Sequence, residues 1–519
     1  MSQTLIAALQ NPALYPHAVE GFKVIETHIS WVLLTGPYAY KIKKPMNFGF
    51  LDFSELSARG HFCAEELRLN QRLTDDLYLE VLPITGSADA PQLGGAGEPI
   101  EYALKMRQFP QSNLLSTLQA NGELTSSHID ELAVQIAEFH QQAPKVADAH
   151  PSGSPAAVME PVEQNFEQIR PFLKDKADLT QLDALQAWAQ ASYQRLQPLL
   201  LERKRDGFIR ECHGDIHLGN ATVIDGKVVI FDCIEFNEPF RFTDVYADVG
   251  FLAMDLEDRG LKSLARRFIS QYLERTGDYA GLELLNFYKA YRALVRAKIA
   301  LFSMPAEADG VQRATALRSY RNYANLAESY SAIPSRFLAI TCGVSAVGKS
   351  HVAMRMVEAL GAVRLRSDVE RKRLLGEQHA AAAELNDGIY TEQASASTYQ
   401  RLHSLADTVL HAGLPVVIDA TYLKREQRSA AAQVAETTGV PFLILDCNAP
   451  AAVIASWLEQ RQAEGNDPSD ATLAVIEAQQ AGRQALTAEE SLLTKRVETN
   501  ESGSLDKLVK QIRTRLPGL

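Results

Sequence analysis

The sequence predicts a multidomain chain of mixed class, a two-lobed α+β part followed by an α/β part built on a parallel sheet. Three observations carry that expectation. The chain has 519 residues, too many for one ordinary domain. Its first hundred or so residues alternate like strands before a long, mainly helical stretch. Beyond residue 333 short apolar runs alternate with helical segments, the pattern of a parallel sheet covered on both faces.

Residues 22–50 are rich in β-branched and aromatic side chains, and Gly36-Pro37 breaks the run WVLLT from YAYKIKK; two antiparallel strands fit this stretch. Apolar residues at helical spacing (Phe62, Leu69, Leu73) predict a helix over 57–73. YLEVLPI and EYALKMRQF read as strands on either side of a Gly-rich loop, which completes a small lobe over about 20–108. A larger helical lobe follows over about 112–330. It is interrupted by the polar, proline-containing HPSGSPAAVMEP and by a β-rich island, FIRECHGDIHLGNATVIDGKVVIFD. The composition changes again at SAIPSRF, which places the domain boundary near Ile333 and gives domains 1–332 and 333–519. In the second, the strands FLAITCG, AVRLRSD, LPVVIDA and PFLILDC are each followed by a helix.

Hydrophobic residues make up 46% and charged residues 22%, and the formal net charge is −12. That balance suits a globular chain with sizeable cores and argues against a broad basic surface for nucleic acid or anionic lipid. The five cysteines lie far apart with no CxxC pair, which reads as buried thiols in a reducing compartment. No basic, apolar leader and no run of about 18 apolar residues is present, so neither a signal peptide nor a membrane span is expected and the cytoplasm is the expected location.

Gly343-Val344-Ser345-Ala346-Val347-Gly348-Lys349-Ser350 matches GxxxxGK[ST] in full. Successive main-chain N–H groups must curl around phosphate oxygens, which side chains at the glycines would obstruct; Lys349 then reaches the terminal phosphates of ATP and Ser350 ligates Mg²⁺. A strand precedes the motif and a helix follows it, as that role requires. Asp419 closes the strand VVID, where a carboxylate would hold Mg²⁺ beside the loop; the competing role is a helix cap. Asp368 and Arg371 follow the second strand, at the carboxyl end of the sheet where substrates bind. Asp368 there could take a proton from an acceptor hydroxyl while Arg371, one turn on, fixes an anionic group; a surface cap with a solvated arginine is the alternative.

A second constellation lies in the first part. His213-Gly214-Asp215-Ile216-His217-Leu218-Gly219-Asn220 sets an Asp and an Asn five residues apart in one tight loop. Asp215 could accept the proton of an attacking hydroxyl while Asn220 ligates Mg²⁺, and the strand VVIF delivers Asp232 as a second metal carboxylate. Lys41 on its strand is placed to meet the phosphates and Glu66 on the next helix to pair with it, although Lys43, Lys44 and Glu65 compete for these roles. Glu66 is preferred because Leu69 and Leu73 follow it on the buried side. His213 and His217 read as scaffold, Asp248 as a brace for the loop, and Phe48, Phe50 and Phe53 as packing.

HGDIHLGN, IFD, EYALKMRQFP and IAEFH resemble the aminoglycoside phosphotransferase family, over roughly residues 20–325. The resemblance implies a protein-kinase-like two-lobed fold, with HGDIHLGN as catalytic loop and IFD as metal strand. KIKKPMNFGFLDFS and CHGDIHLGN are similar to a branch of it often fused to a P-loop kinase. The chain departs from protein kinases in lacking a GxGxxG loop and in having no glycine after Asp232. GVSAVGKS, SDVER, VVIDATYLKREQR and WLEQRQAEGNDPSDAT resemble P-loop NTPase kinases related to polynucleotide kinase, gluconate kinase and zeta toxins, over roughly 336–515. This implies that Asp368 activates the acceptor, that Arg371 partners it, and that Arg461 is the lid arginine on the transferring group, with Arg425 and Arg428 as rivals for that last role.

Together the expectation is an ATP- and Mg²⁺-dependent phosphotransferase acting on small hydroxyl compounds, with no membrane partner and no long nucleic acid. Two other readings are a nucleotide sensor in which one module is a pseudokinase, and a nucleic-acid 5′-end kinase in the second half. Nothing in the sequence encodes the acceptor, the oligomeric state or any coupling between the modules.

Overall fold

The computed structural model describes residues 2–47, 49, 51–74, 76–305, 307–332, 334–376, 392–464 and 472–516. They form two compact units, Met1–Leu256 with Tyr291–Ala324, and Glu257–Ala290 with Asn325–Leu519. No helix among the described residues is long and apolar enough to cross a membrane. All five cysteines are unpaired and buried.

In the first unit a six-stranded antiparallel sheet runs in the order Lys23–Glu26, Ser30–Leu34, Tyr38–Lys43, Glu101–Arg107, Tyr78–Gly86, Pro91–Leu93. Where two strands were expected before residue 50 there are three, because the chain reverses at Thr27–Ile29 as well as at Gly36-Pro37. Thr27 makes the first reversal: its hydroxyl accepts from the Ile29 and Ser30 amides and its own amide bonds Ser30 O. The expected helix is present as Leu56–Asn70, and it brings Glu66 and Leu69 to full burial. A helix over Ser2–Ala8, unannounced by the polar N-terminus, adds Leu5 and Ile6 to the core around Leu33, Tyr40 and Ile84.

The helical part of this unit contains one correction. HPSGSPAAVMEP, read as an interruption, supplies most of the first two turns of a helix, Pro155–Ile169. Ser154 caps it by accepting from the Ala157 amide, and Pro155 takes the N1 position where no N–H is needed. Pro155 is a helix-starting signal here, Pro161 lies inside the helix, and Val158, Met159 and Val162 are among its buried residues.

The second unit has a five-stranded parallel sheet in the order Val363–Arg366, Val416–Asp419, Leu338–Cys342, Phe442–Asn448, Thr494–Glu498. Its central strand is buried at every position, as expected for apolar strands covered on both faces. The chain leaves Leu338–Cys342, skips one place to Val363–Arg366, and fills the gap with Val416–Asp419. Ile340 pairs with Ile418 in register, so Asp419 ends beside the loop after Cys342. Helix Lys262–Thr276 packs on the same unit: Glu274 meets Arg364 at 2.5 Å, and Arg267 meets Glu358 at 2.8 Å.

Candidate active sites

In the first unit, Lys41 and Lys43 lie two apart on strand Tyr38–Lys43 and so point to the same side of the sheet. Lys41 Nζ donates to Glu66 Oε1 at 2.7 Å and to Asp232 Oδ1 at 2.8 Å. Lys43 donates to the other oxygen of Glu66, at 2.6 Å, and to Glu235. The competing residues are engaged elsewhere: Lys44 bonds Glu26, and Glu65 bonds Arg68. Burial works against the charge of Glu66, but Lys41 and Lys43 hold its carboxyl well below the usual range.

Asp215 and Asn220 meet directly. The Asn220 amide nitrogen donates to the Asp215 carboxylate at 3.1 Å and to its carbonyl at 3.0 Å, which leaves the amide oxygen for a cation. Burial opposes the charge of Asp215, yet His217, His213 and Arg296 bring its carboxyl down to about 2. It is therefore ionised at any physiological pH. His213 ties this loop to the strand that delivers Asp232. One ring nitrogen donates to Phe231 O at 3.0 Å and the other accepts the Asp215 amide at 3.2 Å, while the Phe231 amide bonds Asn220 O at 3.0 Å. Burial pushes the His213 imidazole below its ordinary pKa, so it acts as neutral scaffold. Asp232 sits at φ 64, in the left-handed region that few non-glycine residues occupy. Its amide donates to the Tyr78 hydroxyl at 3.1 Å. The two carboxylates reach solvent, with side chains 34% and 40% exposed for Asp215 and Asp232.

The bracing residues are as informative as the site itself. Asp248 accepts from the His213 and Gly214 amides, both at 2.9 Å, and Asp255 accepts from the Leu218 amide at 2.9 Å. Both lie on helix Val245–Asp258. Sequence reasoning named Asp248 and missed Asp255, which repeats it two helical turns later on the same face. It also missed Asn70, one turn after Glu66, whose side chain accepts from the Cys233 amide and donates to Glu66 O. His140, Cys212 and Asp248 gather ligand-capable atoms within 4.8 Å of one another, but both Asp248 oxygens already accept loop amides, and burial pushes the Cys212 thiol up. That trio is a brace, not a cation site.

In the second unit, the loop Gly343–Gly348 leads from strand Leu338–Cys342 into helix Lys349–Leu360. A Cβ at Gly343, where φ is 148, would lie 2.8 Å from the Cys447 carbonyl; one at Gly348, where φ is 88, would lie 3.0 Å from the Thr499 side chain. The loop can take this curl only with glycine at both ends. Lys349 Nζ bonds the Val344 carbonyl at 2.7 Å, across the concave side of the loop. A cavity of about 550 Å³ opens here, lined among others by Lys349, Ser350, Asp368, Arg371, Asp419 and Trp457. Asp368 and Arg371 pair at 2.9 Å. Asp419 is buried, and its Oδ2 makes no hydrogen bond, with Arg366 3.7 Å away. A carboxylate oxygen with no hydrogen bond, in a cavity that Ser350 also lines, fits a hydrated Mg²⁺.

Of the three arginines read as lid candidates, Arg428 is buried against Glu490 at 2.7 Å and holds the carbonyls of Tyr422 and Leu423, which makes it structural. Arg425 is exposed. Arg461 belongs by its backbone to helix Ala451–Glu464, but its side chain lies outside the described residues, as do residues 465–471 of the late motif. Gln479, unforeseen, fastens the phosphate loop: its carbonyl accepts the Ser345 amide at 2.7 Å and its amide donates to the Ser345 hydroxyl at 3.1 Å.

A model described as the Phosphotransferase enzyme family matches residues 62–285, and one described as an AAA domain matches residues 338–486. The first span includes Glu66, Asp215, Asn220 and Asp232 but begins after Lys41, whose place therefore rests on its contacts. The uncharacterized protein Rv2004c of Mycobacterium tuberculosis (strain H37Rv) is 30% identical over 469 residues, 89% of this chain and 90% of its own length; the uncharacterized protein Mb2027c of Mycobacterium bovis gives the same figures. Among solved structures, a choline/ethanolamine kinase family protein from Mesorhizobium loti is 12% identical, covering 64% of this chain and 96% of its own, with a TM-score of 0.40. The adenylylsulfate (APS) kinase CysC of Mycobacterium tuberculosis, in complex with AMPPNP and APS, is 20% identical, covering 35% and 97%, with a TM-score of 0.25. Neither score carries an assignment, which rests on the two family matches and the near full-length relatives.

Proposed function

Since the chain belongs to the family of these full-length mycobacterial relatives, a phosphotransferase-family domain followed by an AAA domain, we propose that it transfers the terminal phosphoryl group of ATP to hydroxyl groups of small molecules at two separate sites. One observation carries the reading of the front site. Lys41, Glu66 and Asp232 form one ion-paired cluster, Asp215 and Asn220 form a second pair, and His213 joins the segments that bear them.

In the front site Lys41 would contact the phosphates, and Asn220 and Asp232 would hold Mg²⁺. At the rear the Gly343–Gly348 amides and Lys349 would cradle the phosphates, and Ser350 and Asp419 would hold the metal. When bound, Mg²⁺ supplies positive charge that offsets the charge of the phosphate oxygens. Asp215 orients the acceptor hydroxyl. As the hydroxyl oxygen bonds to the γ-phosphorus, the bond to the β–γ bridging oxygen breaks and ADP leaves with that electron pair. The hydroxyl proton passes to Asp215 and from it to water. Proton transfer late in the reaction, after the new P–O bond has made the hydroxyl acidic, suits a loose, largely dissociative transition state. Asp368 takes the corresponding place at the rear, with Arg371 beside it to meet an anionic part of the acceptor, and Arg461 would act as the lid arginine.

The test is a labelled-ATP screen of hydroxyl metabolites with the full chain, repeated with Asp215→Ala. Front-site products should disappear, by about 10³-fold or more, while nucleotide still binds. Retention of front-site turnover in Asp215→Ala would remove Asp215 as the base.

A further inference from the structure

The front cluster contains more charge than phosphate binding needs. Lys43 is 1% exposed, Glu66 0% and Glu235 5%, and burying such groups is costly unless they are fully paired. Their contacts form a ring. Asp232 bonds Lys41, Lys41 bonds one oxygen of Glu66, Lys43 bonds the other, and Lys43 also bonds Glu235. Glu235 lies three residues after Asp232, so the backbone closes the circle. Three separate elements meet in it: the strand of the lysines, the helix of Glu66 and the segment that carries the metal carboxylate.

The ring matters when nucleotide arrives. The Lys41 ammonium has a third N–H for a phosphate oxygen, and its pair with Asp232 would loosen as that carboxylate turns to the metal. Lys41 is then fixed to the protein through Glu66 alone. Glu66 in turn is fixed by Lys43, which keeps a second carboxylate of its own. Resting on the front-site reading above, we propose that Lys43 and Glu235 are positioning residues that lock Glu66, and through it the phosphate lysine Lys41, in the binding geometry before and after nucleotide enters. The Lys43 ammonium also lies 4.8 Å from the centre of the Phe53 ring, which closes its remaining side, so it has no path to the phosphates itself. It acts through Glu66.

The lock has a signature that general loosening does not. Lys41 acts on phosphates, so losing its anchor weakens ATP binding and leaves adenosine binding alone. The experiment uses the full chain in a Lys349→Ala background to diminish the rear site, with Lys41→Met as the front-site blank and calorimetric titration of Mg²⁺-ATP and of adenosine. Lys43→Met should weaken ATP at least ten-fold with adenosine unchanged within two-fold. Equal weakening of both ligands would overturn the proposal in favour of a purely structural role, and unchanged ATP affinity would overturn it outright. Should Lys43→Met fail to fold, Lys43→Met/Glu235→Gln, which removes the cation with one of its carboxylates, is measured by the same criteria. If Lys41→Met bound ATP as tightly as the parent, the front-site reading would fall and the lock with it; a weak Lys41→Met beside an unaffected Lys43→Met would overturn only the lock.

Discussion

Replacing Asp248 by asparagine asks how much of the catalytic loop's stability runs through one carboxylate. Asp248 is fully buried and its two oxygens divide the work, Oδ2 accepting from His213 and Oδ1 from Gly214, each at 2.9 Å. Asparagine keeps one acceptor and turns an N–H₂ group toward the other amide. That removes one charge-assisted hydrogen bond, about 1.5–3 kcal/mol, and leaves a buried N–H unpaired, about 1–3 kcal/mol. A loss of roughly 3–5 kcal/mol, with a urea m-value of about 3 kcal/mol/M, lowers the midpoint by about 1–1.7 M. Trp31 and Trp188 lie in the first unit and Trp457 in the second, so fluorescence in a Trp457→Phe background follows the relevant unit alone, as a two-state reading requires. The effect also has a pH sign. Burial tends to raise the pKa of Asp248, but the hydrogen bond and charge of His140 and the loop amide of His213 make the net shift downward. Its stabilisation is therefore complete above the unfolded aspartate value, about 4, and is lost as pH falls through the folded one, so parent and variant should converge in acid. A midpoint shift under about 0.3 M at neutral pH would refute the argument, since an m-value of about 3 kcal/mol/M makes that less than a single hydrogen bond.

Two perturbations test the rear unit. Gly343→Ala forces a Cβ to 2.8 Å from the Cys447 carbonyl at a φ of 148, and should cost about 2–4 kcal/mol; thermal unfolding should show it, together with weaker nucleotide binding read from Trp457, which lines the cavity. Asp419→Asn removes a buried charge whose Oδ2 makes no hydrogen bond and lies 3.7 Å from Arg366, and should raise the Mg²⁺ concentration needed for nucleotide binding, as measured by thermal shift with and without Mg²⁺-nucleotide.

What could be read in advance followed from how local each feature is. The phosphate loop is a single eight-residue run whose glycines are demanded by its own neighbours, Cys447 and Thr499, so its role is visible without those neighbours being known. Asp215 and Asn220 are five apart in one loop, so that their side chains meet was equally legible. Lys41 was only one of three lysines, because what selects it is contact with Glu66 and with Asp232, 191 residues away. Asp255, Asn70 and Gln479 act by accepting main-chain amides from distant segments, and no residue pattern marks an acceptor for a remote N–H. The packing of helix Lys262–Thr276 on the P-loop unit was hidden for a related reason: Glu274 and Arg364 look like surface charges until each is seen to bury the other. In HPSGSPAAVMEP, proline was weighted as a breaker where its place after Ser154 made it an N1 residue.

On the proposed reading the two sites would meet the same electrostatic demand, a triphosphate with its metal, in physically different ways. At the rear, main-chain amides, which do not titrate and need no counterion, would act beside Lys349, and the ligand-free loop is fastened locally: Lys349 on Val344 and Gln479 on Ser345. At the front it comes from an ammonium group. A buried ammonium must be paired whether or not ligand is present, and the pairing carboxylate must itself be kept charged and still. With Asp232 as one of those partners, the proposed metal ligand and phosphate lysine are already in contact without nucleotide, and on that reading nucleotide entry would loosen their ion pair. The remaining pairs then decide whether Lys41 stays in place, which is why a second lysine and a third carboxylate, with no phosphate to touch, are buried behind it.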